Sequence, residues 1–141
     1  MRRYFKEHEV VCPHVYEKFG GDIWRFFDAR IVKVIIWLRQ ELNRPITVNR
    51  YTKGLTQRGL RCNLCSLVRD RTDKGVCYMS PHVLGAALDF DVEGMTAGEV
   101  RNWLYVHALD LPHPIRLEKS VGWVHLDVAS DVVELITYFD G

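Results

Sequence analysis

The chain has 141 residues, the length of one domain with a single core. Hydrophobic residues make up 48% and charged residues 26%, and 19 Lys and Arg face 18 Asp and Glu. These values are typical of an ordinary globular domain and exclude collagen-like and disordered chains. Because the charge is nearly balanced, we expect no nucleic-acid partner. The longest apolar run, residues 31–38, is interrupted by Lys33 and is far shorter than the roughly 20 residues that span a bilayer, so we expect no membrane anchor.

The beginning of the chain carries no recognisable export signal. Residues 1–4 are basic, but residues 6–9 are charged or polar where a signal peptide needs its apolar segment. We therefore expect the protein to be cytoplasmic as synthesised. In that setting cysteines are more often reduced thiols or metal ligands than a disulfide framework.

The first half of the sequence predicts a cover, a helix, a strand and a loop. Residues 1–21 are predicted as an irregular N-terminal cover over the core. Asp28 is a candidate N-cap for a helix from about Ala29 to Leu42, which Pro45 ends. The β-branched residues 46–48 predict a short strand. Residues 49–80 are rich in polar residues and lack periodicity, which is typical of a long functional loop near a site.

The second half predicts most of a sheet. Residues 86–92 alternate as a strand, and the capping-box pair Thr96 and Glu99 predicts a helix through about Ala108. Two strands joined by a short turn follow at residues 115–118 and 123–128, and a last strand is favoured for residues 132–139. The expected fold is α+β: one domain over residues 1–141, with helices packed on a small antiparallel sheet.

Three residues in the second half could bind a metal ion. They are His82 before one predicted strand, Asp89 within it and His125 on the last hairpin. Two imidazoles and one carboxylate make a three-ligand zinc site with a fourth position open, as in catalytic centres. The alternative is that His82 caps a loop, Asp89 pairs with an arginine and His125 is a satisfied sheet histidine.

The segments around these residues resemble a known superfamily. The string Ser80-x-His82-x-x-Gly85-x-Ala87-x-Asp89, followed by Trp123-Val124-His125-Leu126-Asp127, is similar to the zinc D-Ala-D-Ala carboxypeptidases and L-alanyl-D-glutamate endolysin peptidases. The hedgehog signalling domain shares their fold. The resemblance implies that His82, Asp89 and His125 bind one Zn²⁺ and that the chain hydrolyses an amide bond in peptidoglycan stem peptides. It also implies a monomer, and a phage-encoded product that is released to the cell wall.

The resemblance also implies a carboxylate that acts as general base. Many family members carry it three residues before the last histidine, where this chain has Gly122. We expect Glu118, before the hairpin turn, to take this role, because facing strands lie close together. Asp127 is the second candidate for base or for orienting the ligands, since it shares a strand face with His125.

An arginine that binds a substrate carboxylate is also implied. Arg50, Arg58 and Arg61 are the candidates, and Arg58 is favoured because Gln57-Arg58-Gly59 resembles a tight turn facing the site. Where the family more often has a Ser-Gly-Tyr-Arg turn, this chain reads Val48-Asn49-Arg50-Tyr51, so the identity of this arginine stays open.

The four cysteines raise a separate hypothesis. Cys62 and Cys65 have the spacing of a zinc knuckle, and Cys12, Cys77 and His14 are candidates to complete a second, structural metal site. The alternatives are a Cys62–Cys65 redox pair or buried thiols that act as small hydrophobes. For the whole chain, the alternative to a peptidase is a non-catalytic, zinc-containing binding or structural module on the same fold.

Overall fold

The computed structural model describes residues 1–128 and 134–141. Within these ranges the α-helices are α1 (Glu7–Val10), α2 (Pro13–Phe19), α3 (Ala29–Leu42), α4 (Ser66–Asp73) and α5 (Ala97–Val106). The strands are β1 (Ile46–Thr47), β2 (Ala87–Val92), β3 (Ile115–Glu118), β4 (Val124–Asp127) and β5 (Ile136–Phe139). Short 3-10 helices lie at Gly20–Phe26, Tyr51–Lys53 and Ala108–Asp110.

Helix α3 is the longest helix in the described residues and has the predicted bounds. The Asp28 carboxylate accepts the backbone N–H of Arg30 at 2.8 Å and caps the first turn. Asn43 ends the helix in the left-handed conformation, with φ 48°. The buried stripe consists of Ile31, Val34, Ile35 and Leu38.

Helix α5 begins with the predicted capping box. The Thr96 hydroxyl accepts the Glu99 N–H, while the Glu99 carboxylate accepts the Thr96 N–H. The α-helix ends at Val106 rather than at Ala108, because the chain tightens there into the 3-10 turn Ala108–Asp110.

The N-terminal segment is more regular than the sequence indicates. Instead of an irregular cover, residues 1–21 contain α1 and α2, and Pro13 occupies the first turn of α2, where its missing N–H costs nothing. Val10, Val11 and Val15 are buried, so these helices belong to the core. Residues 49–80 likewise contain a 3-10 turn and the helix α4.

The sheet has the strand order β1-β2-β4-β3-β5. The first four strands pair antiparallel, but β5 pairs parallel to β3, with Ile115 opposite Ile136 and Glu118 opposite Phe139. The α+β class is therefore confirmed, whereas the expectation of a wholly antiparallel sheet is wrong. Residues 132 and 133 of the predicted last strand lie outside the described residues.

Alternation along the central strands separates an apolar face from a polar one. Leu88, Leu117 and Leu126 are fully buried in the hydrophobic core. Their neighbours in sequence, among them Asp89 and His125, point to the opposite face, because successive side chains of a strand alternate. No helix in the described ranges combines the length and apolarity that crossing a bilayer requires.

Candidate functional site

The register of the sheet places three polar residues in one row. Asp89 on β2 lies opposite His125 on β4. The β3–β4 pairing sets Arg116 opposite Asp127 and Leu117 opposite Leu126, so its continuation by one residue sets Glu118 beside His125. Asp89, His125 and Glu118 thus lie side by side on three neighbouring strands, spaced by the roughly 4.8 Å between strands.

His82 joins this row from the turn before β2. Its Nε2 lies 3.3 Å from Nδ1 of His125 and 3.3 Å from Oδ2 of Asp89. Nδ1 of His125 lies 2.7 Å from Oδ1 of Asp89. All three side chains are buried, and one ligand atom from each lies within 4.8 Å of the others. We call His82, Asp89 and His125 the trio; the structure brings together all three predicted ligands, and they could hold a metal ion.

Hydrogen bonds fix which nitrogen of each histidine faces the trio. Nδ1 of His82 donates to the Gly59 carbonyl at 2.9 Å, which leaves Nε2 facing inward. Nε2 of His125 donates to Oδ2 of Asp127 at 3.1 Å, which leaves Nδ1 facing inward. Metal-binding histidines ordinarily have their second nitrogen held in this way. Asp127 therefore orients His125 from the side away from the trio.

Two glycines allow the backbone to pack around His82. A Cβ at Gly59 would lie 1.9 Å from the Val10 carbonyl oxygen, and one at Gly85 would lie 2.0 Å from the Phe26 carbonyl oxygen. Gly85 also has φ +67°, a conformation that residues with a side chain rarely adopt. The glycine in the His82–Asp89 string is thus required by the fold of the turn.

Arginines pair with the acidic residues on this face. Nη2 of Arg61 lies 2.9 Å from Oδ2 of Asp89. Arg116 binds Asp127 through two hydrogen bonds of 2.8 and 3.0 Å. A third arginine, Arg58, binds Asp91 in the same bidentate manner at 2.6 and 3.1 Å. The Arg61 side chain also donates to the Gln57 carbonyl.

The trio has strongly perturbed protonation equilibria. Burial lowers the pKa of His82 below its ordinary value. Burial also opposes the charge on His125, but hydrogen bonds to Asp127 and Asp89 outweigh it and raise the pKa of His125 to about 9. For Asp89 burial favours the neutral form, yet hydrogen bonds from His125 and His82 hold its pKa well below the usual range. The trio therefore keeps an ionised carboxylate in a buried place, as metal binding requires, and a metal ion would have to displace a proton from His125.

A cavity of about 630 Å³ opens onto the trio. The other candidate residues that line it are Glu118, Asp127, Arg58 and Arg61. Arg50 is not among the lining residues, although its backbone pairs with Leu55, which is one of them; its role as a substrate contact stays a prediction. Arg116 also lines the cavity and was not predicted. Arg116 could have been predicted from the sequence, because it lies two residues before Glu118 and therefore on the same face of the strand.

The two candidate bases differ in their surroundings. Asp127 is fully buried, and its oxygens are engaged by Arg116 and by the outer nitrogen of His125. Glu118 is half-buried at the cavity wall, and its carboxylate has no ion-pair partner in the part of the chain that the structure describes. Asp127 is thus arranged to position a ligand, and Glu118 is the better placed of the two to accept a proton.

The structure gathers a second group of potential ligands, none of which lines the cavity. Sγ of Cys12 lies 3.7 Å from Sγ of Cys62, and Nδ1 of His14 lies 3.7 Å from Cys62 Sγ and 3.9 Å from Cys65 Sγ. We call Cys12, His14, Cys62 and Cys65 the cysteine–histidine cluster; it could bind a metal ion. A hydrogen bond with Cys65 lowers the pKa of Cys12 to about 5, and that of Cys65 is raised correspondingly.

Of the three residues predicted as candidates to join Cys62 and Cys65, the structure brings Cys12 and His14 to them but not Cys77. Cys77 is exposed and stands apart from the cluster, and His14 takes the fourth place. The physical reason is that α4 begins directly after Cys65 and carries the chain away before Cys77 is reached.

Comparisons of the chain with protein-family models, with curated proteins and with solved structures found no match.

Proposed function

We propose that the protein is a zinc-dependent peptidase of the D-Ala-D-Ala carboxypeptidase and endolysin type, which hydrolyses an amide bond in peptidoglycan stem peptides. The observation that carries the proposal is the convergence of His82, Asp89 and His125 at the wall of a cavity, with Glu118 in the same row.

The donor set of the trio fits zinc. Two imidazole nitrogens and one carboxylate oxygen suit Zn²⁺, an ion of intermediate softness. Three protein ligands leave a fourth position for water or substrate. When bound, zinc lowers the pKa of a coordinated water to about 7 and polarises the carbonyl group of the scissile bond. The inward nitrogens of both histidines are preset by Gly59 and Asp127, which supports metal binding without rearrangement.

The chain's own residues supply proton transfer and positioning. Glu118 accepts a proton at its carboxylate and returns it to the leaving nitrogen, which is the ordinary work of a general acid–base residue. Asp127 and Arg61 are positioning residues, because each is hydrogen-bonded to a member of the trio.

The charge of the cavity suits an anionic peptide. The lining contains three arginines, Arg58, Arg61 and Arg116, and three carboxylates, Asp89, Glu118 and Asp127. A divalent ion at the trio would therefore leave the lining with net positive charge, and stem peptides carry free carboxylates. Arg58 remains the proposed substrate contact, because it lines the cavity and, unlike Arg61, its side chain is not bonded to the trio.

The test is digestion of purified peptidoglycan by the zinc-loaded protein. The rate is measured from the release of free amino groups, and mass spectrometry of the products identifies the bond that is cut. Glu118→Gln should lower turnover by about 10²–10⁴-fold, the usual contribution of a general acid–base residue, and leave the zinc content unchanged. Glu93→Gln, at an exposed glutamate outside the cavity, is the matched control.

Three outcomes would contradict parts of this proposal. Equal turnover of the Glu118→Gln and wild-type proteins would refute the role of Glu118. Binding of stem peptides without cleavage would favour the alternative, a non-catalytic zinc-containing module on this fold. Failure of the wild type both to bind and to cleave them would refute the substrate class.

A further inference from the structure

The spacing of the cysteine–histidine cluster matches a tetrahedral zinc site. Zn–S bonds of about 2.3 Å and Zn–N bonds of about 2.0–2.1 Å place neighbouring sulfurs about 3.8 Å apart and sulfur about 3.5 Å from nitrogen in a tetrahedron. The Cys12–Cys62 separation is 3.7 Å, and His14 Nδ1 lies 3.7 and 3.9 Å from the sulfurs of Cys62 and Cys65.

The composition of the cluster favours a metal ion over a redox pair or buried, space-filling thiols. A Cys62–Cys65 redox pair would need neither Cys12 nor His14 beside it. Thiols that only fill space would gather apolar neighbours rather than an imidazole nitrogen. Three sulfurs and one nitrogen complete the coordination of zinc, so this site differs from the trio in leaving no open position.

Backbone pairing explains how residues so distant in sequence meet. Val11 and Leu60 form a parallel bridge, in which the Leu60 N–H donates to Val10 O at 3.0 Å and the Cys12 N–H donates to Leu60 O at 2.9 Å. The second ligand pair forms a tight turn, in which the Cys65 N–H donates to Cys62 O at 3.1 Å.

The chain next to the cluster also holds the trio. In the segment 58–61, the Gly59 carbonyl accepts from His82 Nδ1 at 2.9 Å, and Arg61 Nη2 donates to Asp89 at 2.9 Å. Its backbone binds the same two residues: the Asp89 N–H donates to Arg58 O at 2.7 Å, and the Arg61 N–H donates to His82 O at 3.2 Å. The segment is thus bonded to two members of the trio and ends directly before Cys62.

We propose that Cys12, His14, Cys62 and Cys65 bind a structural zinc ion, and that this ion fixes the 58–61 segment so that the segment holds His82 and Asp89 in their ligating positions. The structural zinc site is independent of the peptidase activity. Its effect on His82 and Asp89 rests on the proposed metal binding by the trio.

Cobalt titration of the reduced, metal-stripped wild-type protein tests the structural metal site. Thiolate ligands give cobalt an intense charge-transfer absorption, which a nitrogen–oxygen site lacks. The band should appear in the wild type and in Cys77→Ser, and should be much weaker in Cys65→Ser, which keeps only two of the three thiolate ligands. In His82→Ala, zinc X-ray absorption should show three sulfur ligands and one nitrogen. Absence of the band from the wild type, or an equal weakening in Cys77→Ser, would overturn the assignment.

Cadmium NMR tests whether the structural ion holds the trio in place, because sulfur-rich and nitrogen–oxygen sites give well-separated signals. Cys65→Ser should weaken binding at the nitrogen–oxygen site at least about tenfold, as expected when the groups that orient metal ligands are disturbed. Cys77→Ser should leave that binding unchanged. Equal affinity in Cys65→Ser and the wild type would overturn the role of the 58–61 segment. A wild type with only the sulfur-rich signal would refute the proposed catalytic centre but leave the structural site standing.

The wild-type titration does not depend on any variant folding. In the wild type the thiolate signal should fill before the nitrogen–oxygen signal as cadmium is added. The reverse order would show that the trio is formed without the structural ion, and would contradict the coupling.

Discussion

Replacement of Asp127 by Asn should weaken metal binding at the trio without removing a ligand. The Asp127 carboxylate accepts from Nε2 of His125 at 3.1 Å and from Arg116 at 2.8 and 3.0 Å. The amide keeps the shape of the side chain, but it is neutral and has only one acceptor oxygen, so it cannot serve both donors as the carboxylate does.

The size of the effect follows from these contacts. Loss of a carboxylate that orients a ligating histidine typically costs 10- to 100-fold in metal affinity, or about 1.4–2.7 kcal/mol. Stability should fall as well, because breaking a buried ion pair costs about 3–5 kcal/mol. The Arg116 side chain is 28% exposed and stays partly hydrated, which places the expected loss below that range.

Asp91→Asn is the matched control for this experiment. Asp91 also forms a bidentate pair with an arginine, at 2.6 and 3.1 Å, and lies on the adjacent strand, but it does not contact a histidine of the trio. The assay is retention of cadmium at the nitrogen–oxygen site against increasing chelator, followed by NMR, with urea unfolding as the measure of stability.

Two results would refute this reasoning. Wild-type affinity in Asp127→Asn would mean that His125 does not depend on its outer hydrogen bond. An equal loss in Asp91→Asn, at a residue that contacts Arg58 of the 58–61 segment, would mean that the outer hydrogen bond of His125 is not what distinguishes Asp127.

Two further predictions concern the scaffold. Asp28→Ala should lower the free energy of unfolding by about 1 kcal/mol at neutral pH, as for other lost N-caps. Because hydrogen bonding to Arg30 lowers the pKa of Asp28, the contribution of the cap should fade as the pH falls through that lowered value. The wild type and the variant should therefore have the same stability in urea unfolding under strongly acidic conditions. Gly85→Ala should lower the melting temperature more than Gly54→Ala. Both glycines have positive φ, +67° and +70°, but only at Gly85 would the new Cβ meet backbone, 2.0 Å from Phe26 O; equal losses would show that the clash relaxes freely.

Local signals in the sequence predicted the strands and the two longest α-helices of the described residues, α3 and α5, but not α1, α2 or α4. Asp28 and Pro45 bound α3, the pair Thr96 and Glu99 begins α5, and β3 has the predicted bounds. Caps, breakers and alternation act over a few residues, so their effect can be read from the chain alone. The convergence of His82, Asp89 and His125 was also predicted, from their residue types and from the resemblance of the segments around them to the zinc peptidases, rather than from local structure alone.

The remaining features depend on contacts between distant parts of the chain. That β5 pairs parallel to β3 is a matter of long-range strand pairing, which the residues of β5 do not encode. His14 rather than Cys77 joins Cys62 and Cys65 because the bridge between Val11 and Leu60 aligns the two segments. The pairing of Arg116 with Asp127 follows from the sheet register, whereas Arg58 and Arg61 reach Asp91 and Asp89 from a segment outside the strands.

Glu118 lies opposite His125 across the hairpin, so the two residues are neighbours in the sheet although a turn separates them along the chain. The strand register sets which residue of β3 lies opposite His125, whereas residues 119–123 only close the turn, with Ser120 at φ 59°. Insertions or deletions in this turn could change the number of residues between acid and histidine while the two stay neighbours. A pattern search that requires a fixed acid-to-histidine interval would therefore overlook chains built in this way, whereas one that counts from the strand register would find them.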